Sequence, residues 1–428
     1  MRAVVLADGN FGAAAVQRAI DFLIVNKGYN IAAAAVVGAV PDDFSLGVPI
    51  VFGSDIRSIL DDVAAKYRPR VFVDVTEADL ARKLERAIIA ARLGIEMRGA
   101  DYVISPPPVR RPSGTATINV VGTGEVGKTA VALSLIEAAS GICKPGHASM
   151  QLDLPPHPEV VSDVPLTTES ILSAYFAGRA VAGDHYAVAA AAGVPACGCS
   201  FAGTGLSGVP VSSVVADGVL LLEEAGAELV FVEGSGSSIS PVEPDGWVAV
   251  VNQTATTDEL REYADAYSVS SADMVVVTAP KRDNWKRTSS KKLTSAIRSI
   301  NPDVPIATGR IVPKVLGNVK GSEVCFVTDG TAEEAGKRTV LIERQSGAYV
   351  VKSFGSETLG RKKALLGTDK VLLELGISNF GDWLKECANA GADVVFVAER
   401  FVPAEKKDFG AVAIALFERA LAARKTRR

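Results

Sequence analysis

Between Thr117 and Thr129 the chain reads Thr-Ile-Asn-Val-Val-Gly-Thr-Gly-Glu-Val-Gly-Lys-Thr. A short β-branched run leads into Gly122-x-x-x-x-Gly127-Lys128-Thr129, the spacing of a phosphate-binding loop. Gly122, Gly124 and Gly127 let the backbone turn tightly, so that the loop including Thr123, Glu125 and Val126 aims its N–H groups at phosphate oxygens. Lys128 is spaced to reach the β- and γ-phosphates, and the Thr129 hydroxyl to ligate Mg²⁺. Ala130–Ala139 follows as a good helix former, and a helix N-terminus adds partial positive charge for a nucleotide. The expected cofactors are ATP and Mg²⁺.

A second signal is Leu229-Val-Phe-Val-Glu233-Gly-Ser-Gly-Ser-Ser238. An apolar strand ends in a carboxylate and a Gly/Ser turn. In a parallel α/β sheet ligands sit beyond the carboxyl ends of strands. Glu233 is therefore expected beside the phosphates, holding Mg²⁺ with Thr129, while Gly234 and Gly236 admit an anionic substrate close to the backbone. The bland alternative for Glu233 is a helix-capping acid.

Gly183-Asp184-His185 follows a helical stretch. Asp184 is a candidate to ligate the metal or orient an attacking oxygen, and His185 to bind phosphate or carry a proton. The pair equally fits a turn with a helix cap. Arg310 and Lys314, in Arg-Ile-Val-Pro-Lys, read as two cations just past a strand end, a position suited to nucleotide contact. Asp153 and His157 read as a proline-stiffened surface loop. Cys197-Gly-Cys199 lacks the second pair of a zinc site, and the segment to Gly205 reads as a tight turn around small buried thiols. The basic runs at 281–287 and 361–363 read as solvated faces.

These residues need a scaffold of strands and helices. A chain of 428 residues, 48% hydrophobic and only 6% aromatic, suggests sheets of Val, Ala, Leu and Ile covered by helices. Net charge is −4, which gives no footprint for nucleic acid. Five scattered cysteines suit a reducing cytoplasm. Met1–Asp8 meets a charge too soon for a signal peptide, and no run of eighteen apolar residues occurs, so no membrane partner is expected. Alternating strand and helix patterns give an α/β fold. A central P-loop NTPase domain with a parallel sheet (117–320) is flanked by an N-terminal α/β domain (1–105), a Pro-rich linker (106–116) and a C-terminal α/β unit (321–428).

Taken together, several segments resemble the cyclic 2,3-diphosphoglycerate synthetase family. They are Gly-Thr-Gly…Gly-Lys-Thr-Ala-Val, Asp184-His185, Val232-Glu-Gly-Ser-Gly236 with Pro241-Val242, and Pro313-Lys314…Gly317-Asn318-Val319. Asp8-Gly9, Val73-Asp74 and Gly99-Ala100-Asp101 extend the resemblance into the first domain. The resemblance implies a homodimeric enzyme that uses ATP and Mg²⁺ to close a phosphoanhydride within 2,3-diphosphoglycerate, releasing ADP and phosphate. The central domain is also similar to dethiobiotin synthetase.

The chain departs from the family pattern where cations would meet such a substrate. Gln151-Leu-Asp-Leu-Pro-Pro156 replaces an Arg-Gly-Gly-Pro segment, Gly376 stands for a Lys, and Val312 for an Arg. An Arg is missing within Ser353–Thr358, and Asn10-Phe11 replaces an acidic-His pair. The expected substrate is a small, phosphoglycerate-like anion. The other readings are a P-loop ligase or kinase for another small acid, and a nucleotide-dependent switch or metallochaperone.

Overall fold

The computed structural model describes residues 1–9, 11–106, 114–152, 154–162, 166–204, 208, 210–279, 287–329, 331–355, 368–377 and 379–426. Asn10, Asp153, residues 281–286 and 361–363 and most of the expected linker lie outside them. The chain forms two compact units: Met1–Pro108 with Thr204–Val209 and Asp258–Ser271, and the remainder.

The first unit is built on β1 (Arg2–Asp8), β2 (Asn30–Val37), β3 (Ile50–Gly53), β4 (Val71–Asp74), β5 (Glu96–Arg98) and β6 (Val103–Ile104), ordered β3-β2-β1-β4-β5-β6. Neighbours are parallel except β5 and β6. Helices α1 (Ala13–Lys27), α2 (Ile56–Tyr67) and α3 (Leu80–Arg92) link the parallel strands. The side chains of Asp55 and Asp79 accept N–H groups of the first turns of α2 and α3.

The second unit begins with β7 (Ala116–Val121), α4 (Lys128–Ala139), β8 (Pro145–Gln151), β9 (Glu159–Val161), α5 (Thr168–Phe176) and α6 (Asp184–Ala192). It continues with β10 (Ala196–Thr204), β11 (Pro210–Ser213), α7 (Val215–Glu224), β12 (Leu229–Glu233) and β13 (Gly246–Asn252). The next helix, α8 (Tyr263–Ser271), packs on α3 and belongs to the first unit. The chain then returns through β14 (Met274–Ala279), α9 (Arg287–Ile300), β15 (Ile306–Val315), β16 (Glu323–Thr328) and α10 (Ala332–Ser346). It closes with β17 (Tyr349–Gly355), β18 (Lys370–Glu374), α11 (Phe380–Asn389), β19 (Asp393–Pro403) and α12 (Lys406–Lys425).

One sheet carries this whole unit, in the order β11-β10-β8-β12-β7-β13-β14-β15-β19-β18-β16-β17, with β9 against β10. From β10 to β15 the neighbours are parallel. The strands β19, β18, β16 and β17 form a second parallel block. The blocks meet at the antiparallel pair β15–β19. The central strands β7, β12 and β14 are buried throughout, as expected of parallel strands covered on both faces.

This corrects the expectation of a separate unit at 321–428. The sequence reading places Arg310 and Lys314 just past the end of a strand. Instead β15 runs to Val315, and Pro313 lies opposite Glu399 of β19, so the C-terminal strands extend the same sheet. Similarly, Cys197–Thr204 lies in strand β10 rather than in a turn. Gly218 of α7 makes room there: a Cβ would fall 2.4 Å from the Cys199 sulfur.

The P-loop helix α4 is clamped to the joint between blocks. Ser134 Oγ donates to the Phe401 carbonyl (2.7 Å) and accepts the Phe401 N–H (3.1 Å). We expect Ser134→Ala to lower the unfolding free energy of this unit by about 1–2 kcal/mol, because it strands a buried N–H and carbonyl. Denaturant titration checks this; an unchanged midpoint would mean that the clamp contributes nothing.

Candidate active site

The site grows from β7. After Val121 the chain must turn under the neighbouring strand, where a Cβ on Gly122 would stand 2.2 Å from the Val250 carbonyl oxygen. Gly127 has φ 83°, and a Cβ there would lie 2.1 Å from Ile311 Cδ1. Only glycine suits either position. Thr278 Oγ1 of β14 donates to the Val126 carbonyl (2.8 Å) and pins the loop from the side. Lys128, 8% exposed, folds back so that Nζ donates to the Gly124 carbonyl (2.7 Å).

Residues 124–129 line a cavity of about 700 Å³ together with Asp184, Glu233, Gly234, Ser235 and Gly236. Thr129 Oγ1 donates to Glu233 Oε1 at 2.7 Å. The other carboxylate oxygen of Glu233 faces Nε2 of His147, at 3.1 Å. Two oxygen donors held together beside a phosphate-type loop fit a hard divalent ion that keeps waters and phosphate oxygens as its other ligands. Among the described residues no group of three or more His, Cys, Asp and Glu forms an all-protein metal cage.

Asp184 opens α6 and points into the same cavity, with Gln151 Nε2 donating to its Oδ2 at 2.8 Å. Burial pushes its carboxyl up to about 6, and the charge of Glu233 adds to this; His147, the Gln151 bond and Lys128 act against it.

The opposite wall comes from the second parallel block and was missed by the sequence reading. Asp329, Glu334, Lys337, Arg338, Glu374 and Glu399 line it. Arg338 is buried, donating to Glu374 Oε2 (2.6 Å), to Glu399 Oε1 (2.9 Å) and to the Thr328 hydroxyl. The available signal was positional, since Thr328-Asp329 and Glu374 end parallel strands in the way Glu233 does. His147 lies within buried β8 and carried no motif at all.

Two expectations are corrected. His185 does not line the cavity. It is adjacent to Asp184 on a helix, so its ring points about 100° away, into a slot made by Gly183 and Gly198. A Cβ on either glycine would come within 2.6 Å of the ring. The nearest carboxylate oxygen, from Glu159, is 3.9 Å away, and burial lowers the imidazole to about 4, so it stays neutral. Arg310 and Lys314 also lie off the cavity. Both alternate with Ile311 inside β15; Arg310 is exposed, and Lys314 Nζ binds Glu137 Oε1 (2.5 Å) and the Ala191 carbonyl (2.7 Å).

The family profile described as "Cyclic 2,3-diphosphoglycerate synthetase, P-loop domain" matches residues 117–309. The chain is 29% identical over 407 residues to the cyclic 2,3-diphosphoglycerate synthetase of Rubrobacter xylanophilus, covering 92% of this chain and 90% of that one. It is 30% identical over 376 residues to the enzyme of the same name from Thermococcus onnurineus, covering 85% of each. The crystal structure of hydrogenase maturation factor HypB from Archaeoglobus fulgidus is a looser neighbour. It has 17% identity and a TM-score of 0.30 over 54% of this chain and 88% of that one.

If the Asp184 carboxylate is needed ionised to orient an attacking oxygen, turnover falls with single-proton slope below about pH 6. For stability the sign is opposite. The folded carboxyl holds its proton more tightly than the usual 3.8, so Asp184 weighs increasingly against folding as pH rises towards about 6. Initial rates from pH 5 to 8 check the first statement. A flat profile, or the same acid limb in Asp184→Asn, removes Asp184 from that role.

Proposed function

The chain belongs to the cyclic 2,3-diphosphoglycerate synthetase family, and from that premise we propose that it is an ATP- and Mg²⁺-dependent synthetase. It closes an intramolecular phosphoanhydride in a small phosphoglycerate-type acid. The observation that carries this reading is the meeting of Lys128, Thr129, Glu233 and Asp184 on one cavity. The loop amides and Lys128 hold the β- and γ-phosphates of ATP, and Thr129 and Glu233 hold Mg²⁺. When bound, the ion neutralises charge developing on the phosphates. One phosphate oxygen of the acid attacks the γ-phosphorus and ADP leaves. The second phosphate then attacks the first phosphorus and displaces inorganic phosphate, closing the ring. Asp184 orients the attacking oxygen from the edge of the loop. Positioning in a walled cavity does most of the work, because phosphoryl transfer asks little covalent chemistry of the protein. Five free thiols suit the cytoplasm as its compartment.

A second reading rests on the charge of the opposite wall. Its only cations among the described residues are Lys337 and Arg338, and both have acidic partners: Glu333 for Lys337, Glu374 and Glu399 for Arg338. Such a wall favours an acid with fewer phosphates on the same scaffold.

The two readings separate by ³¹P NMR. With Mg-ATP and 2,3-diphosphoglycerate, the first expects cyclic product, ADP and phosphate in equal amounts. No product, with ATP hydrolysis stimulated by a less charged acid, supports the second. Lys128→Ala should abolish turnover under either reading. Loss of one desolvated cation removes about 3–4 kcal/mol of transition-state stabilisation, roughly 100- to 1,000-fold. Near-normal turnover in that folded variant would falsify both.

Glu233→Gln keeps the shape and loses the charge. It should raise the Mg²⁺ concentration needed for half-maximal rate by at least about tenfold, while ADP without metal still binds. An unchanged Mg²⁺ titration would reduce Glu233 to a turn residue.

A further inference from the structure

We propose that His147 is a positioning residue: from the buried strand β8 it fixes Glu233 so that one carboxylate oxygen stays turned towards Thr129 and the metal. The inference rests on the nucleotide-and-metal reading above and adds to it the residue that aims the metal ligand.

The first observation is the composition of β8. It lies between β10 and β12, parallel to both, and is buried along nearly its whole length. Such a strand is normally apolar on both faces. On one face β8 obeys: Ala148 and Met150 pack with Cys197, Val219 and Val232. The other face carries His147, Ser149 and Gln151 at alternate positions. Polar side chains at these depths oppose folding unless they are bonded.

The bonds that face makes lead to the cavity. His147 has no exposed surface and sits opposite Phe231 in the β8–β12 register, diagonal to Glu233. The diagonal is within reach of a long side chain, and Nε2 meets Glu233 Oε2 at 3.1 Å. Facing a carboxylate, that nitrogen donates. Glu233 Oε2 is thereby occupied, and Oε1 is left towards Thr129 at 2.7 Å. Four residues further along the strand, Gln151 holds Asp184 by the same kind of contact. One strand face thus supports both cavity carboxylates. A ligating carboxylate that is itself hydrogen-bonded loses rotameric freedom, so the metal finds its ligand already aimed. The second ring nitrogen of His147 makes no hydrogen bond among the described residues, so the Glu233 contact is what the ring is placed for.

The test compares two amides of similar polarity. His147→Gln carries its NH₂ near the Nε2 position; His147→Asn is too short to reach Glu233. Calorimetric binding of ADP is measured in EDTA and in Mg²⁺, with the fold followed by circular dichroism. Without metal, wild type and both variants should bind ADP within about threefold of one another. The tightening that Mg²⁺ brings should survive in His147→Gln and fall by about 10- to 100-fold in His147→Asn. In a Glu233→Gln background the Asn substitution should have no further effect on the Mg²⁺ term, because His147 acts only through Glu233. Equal Mg²⁺ tightening in the two variants, or additive loss in the Glu233→Gln background, overturns the proposal. If His147→Asn does not fold, loss of the Mg²⁺ term in folded His147→Gln overturns it, and retention supports it. A wild type that binds ADP without any Mg²⁺ tightening overturns the functional reading, and this inference with it.

Discussion

A carboxylate with 3% of its surface exposed is tolerable only if both oxygens have partners, and Glu233 is such a group. Its partners come from different elements. Thr129 belongs to the helix after the phosphate-binding loop, and His147 to the strand beside Glu233's own. Satisfying one buried charge therefore ties the start of α4 and the end of β12 to the buried strand β8. The loop then has little freedom. It must pass beneath the Val250 carbonyl at Gly122 and beside Ile311 at Gly127, leaving Lys128 and Thr129 at the start of the helix.

The cavity itself depends on a joint in the sheet. In register, Val397 of β19 lies opposite both Val315 at the end of β15 and Glu374 at the end of β18. The first half of β19 serves one parallel block and the second half the other. The carboxyl ends of two oppositely running blocks consequently reach the same space, and one cavity is lined by residues from both. An ordinary parallel sheet would bring one set of strand ends to a ligand.

That joint marks where sequence reading succeeds and where it stops. The phosphate loop, Glu233 and Asp184 were legible because each depends on local chemistry: a glycine spacing, an acid at a strand end, an acid opening a helix. The α/β class was legible from alternating patterns. Lost were the features set by long-range pairing. Arg310 and Lys314 read as cations past a strand end, yet pairing with β19 carries the strand on through Pro313 to Val315, so both are strand residues rather than loop cations. His185 was attractive beside Asp184, but helical geometry sends neighbours in different directions. His147 was invisible because its role needs Glu233, a residue 86 positions away.

The opposite wall shows how a buried arginine is stabilised in this fold, and the first unit repeats the device. Arg86 of α3 donates to Thr76, ten residues back, and pairs with Asp8 (3.1 Å) and Asp74 (4.0 Å) at the ends of β1 and β4. Arg338 of α10 donates to Thr328, also ten residues back, and pairs with Glu374 and Glu399. In each case a threonine near a strand end precedes a helix cap, Asp79 or Thr331, and the arginine follows on the helix. The strand orders agree too: β2-β1-β4-β5 in one unit and β17-β16-β18-β19 in the other, parallel throughout. Removing one partner of such a cluster strands a buried charge, typically a loss of about 3–5 kcal/mol. In the second unit the same cluster forms part of the cavity wall. Arg338 is thus committed to neutralising its own carboxylates before it meets any substrate, and Lys128 is left as the buried cation on the phosphate side. The charge an acceptor meets in this cavity is therefore set by the requirements of the fold as well as by those of the reaction.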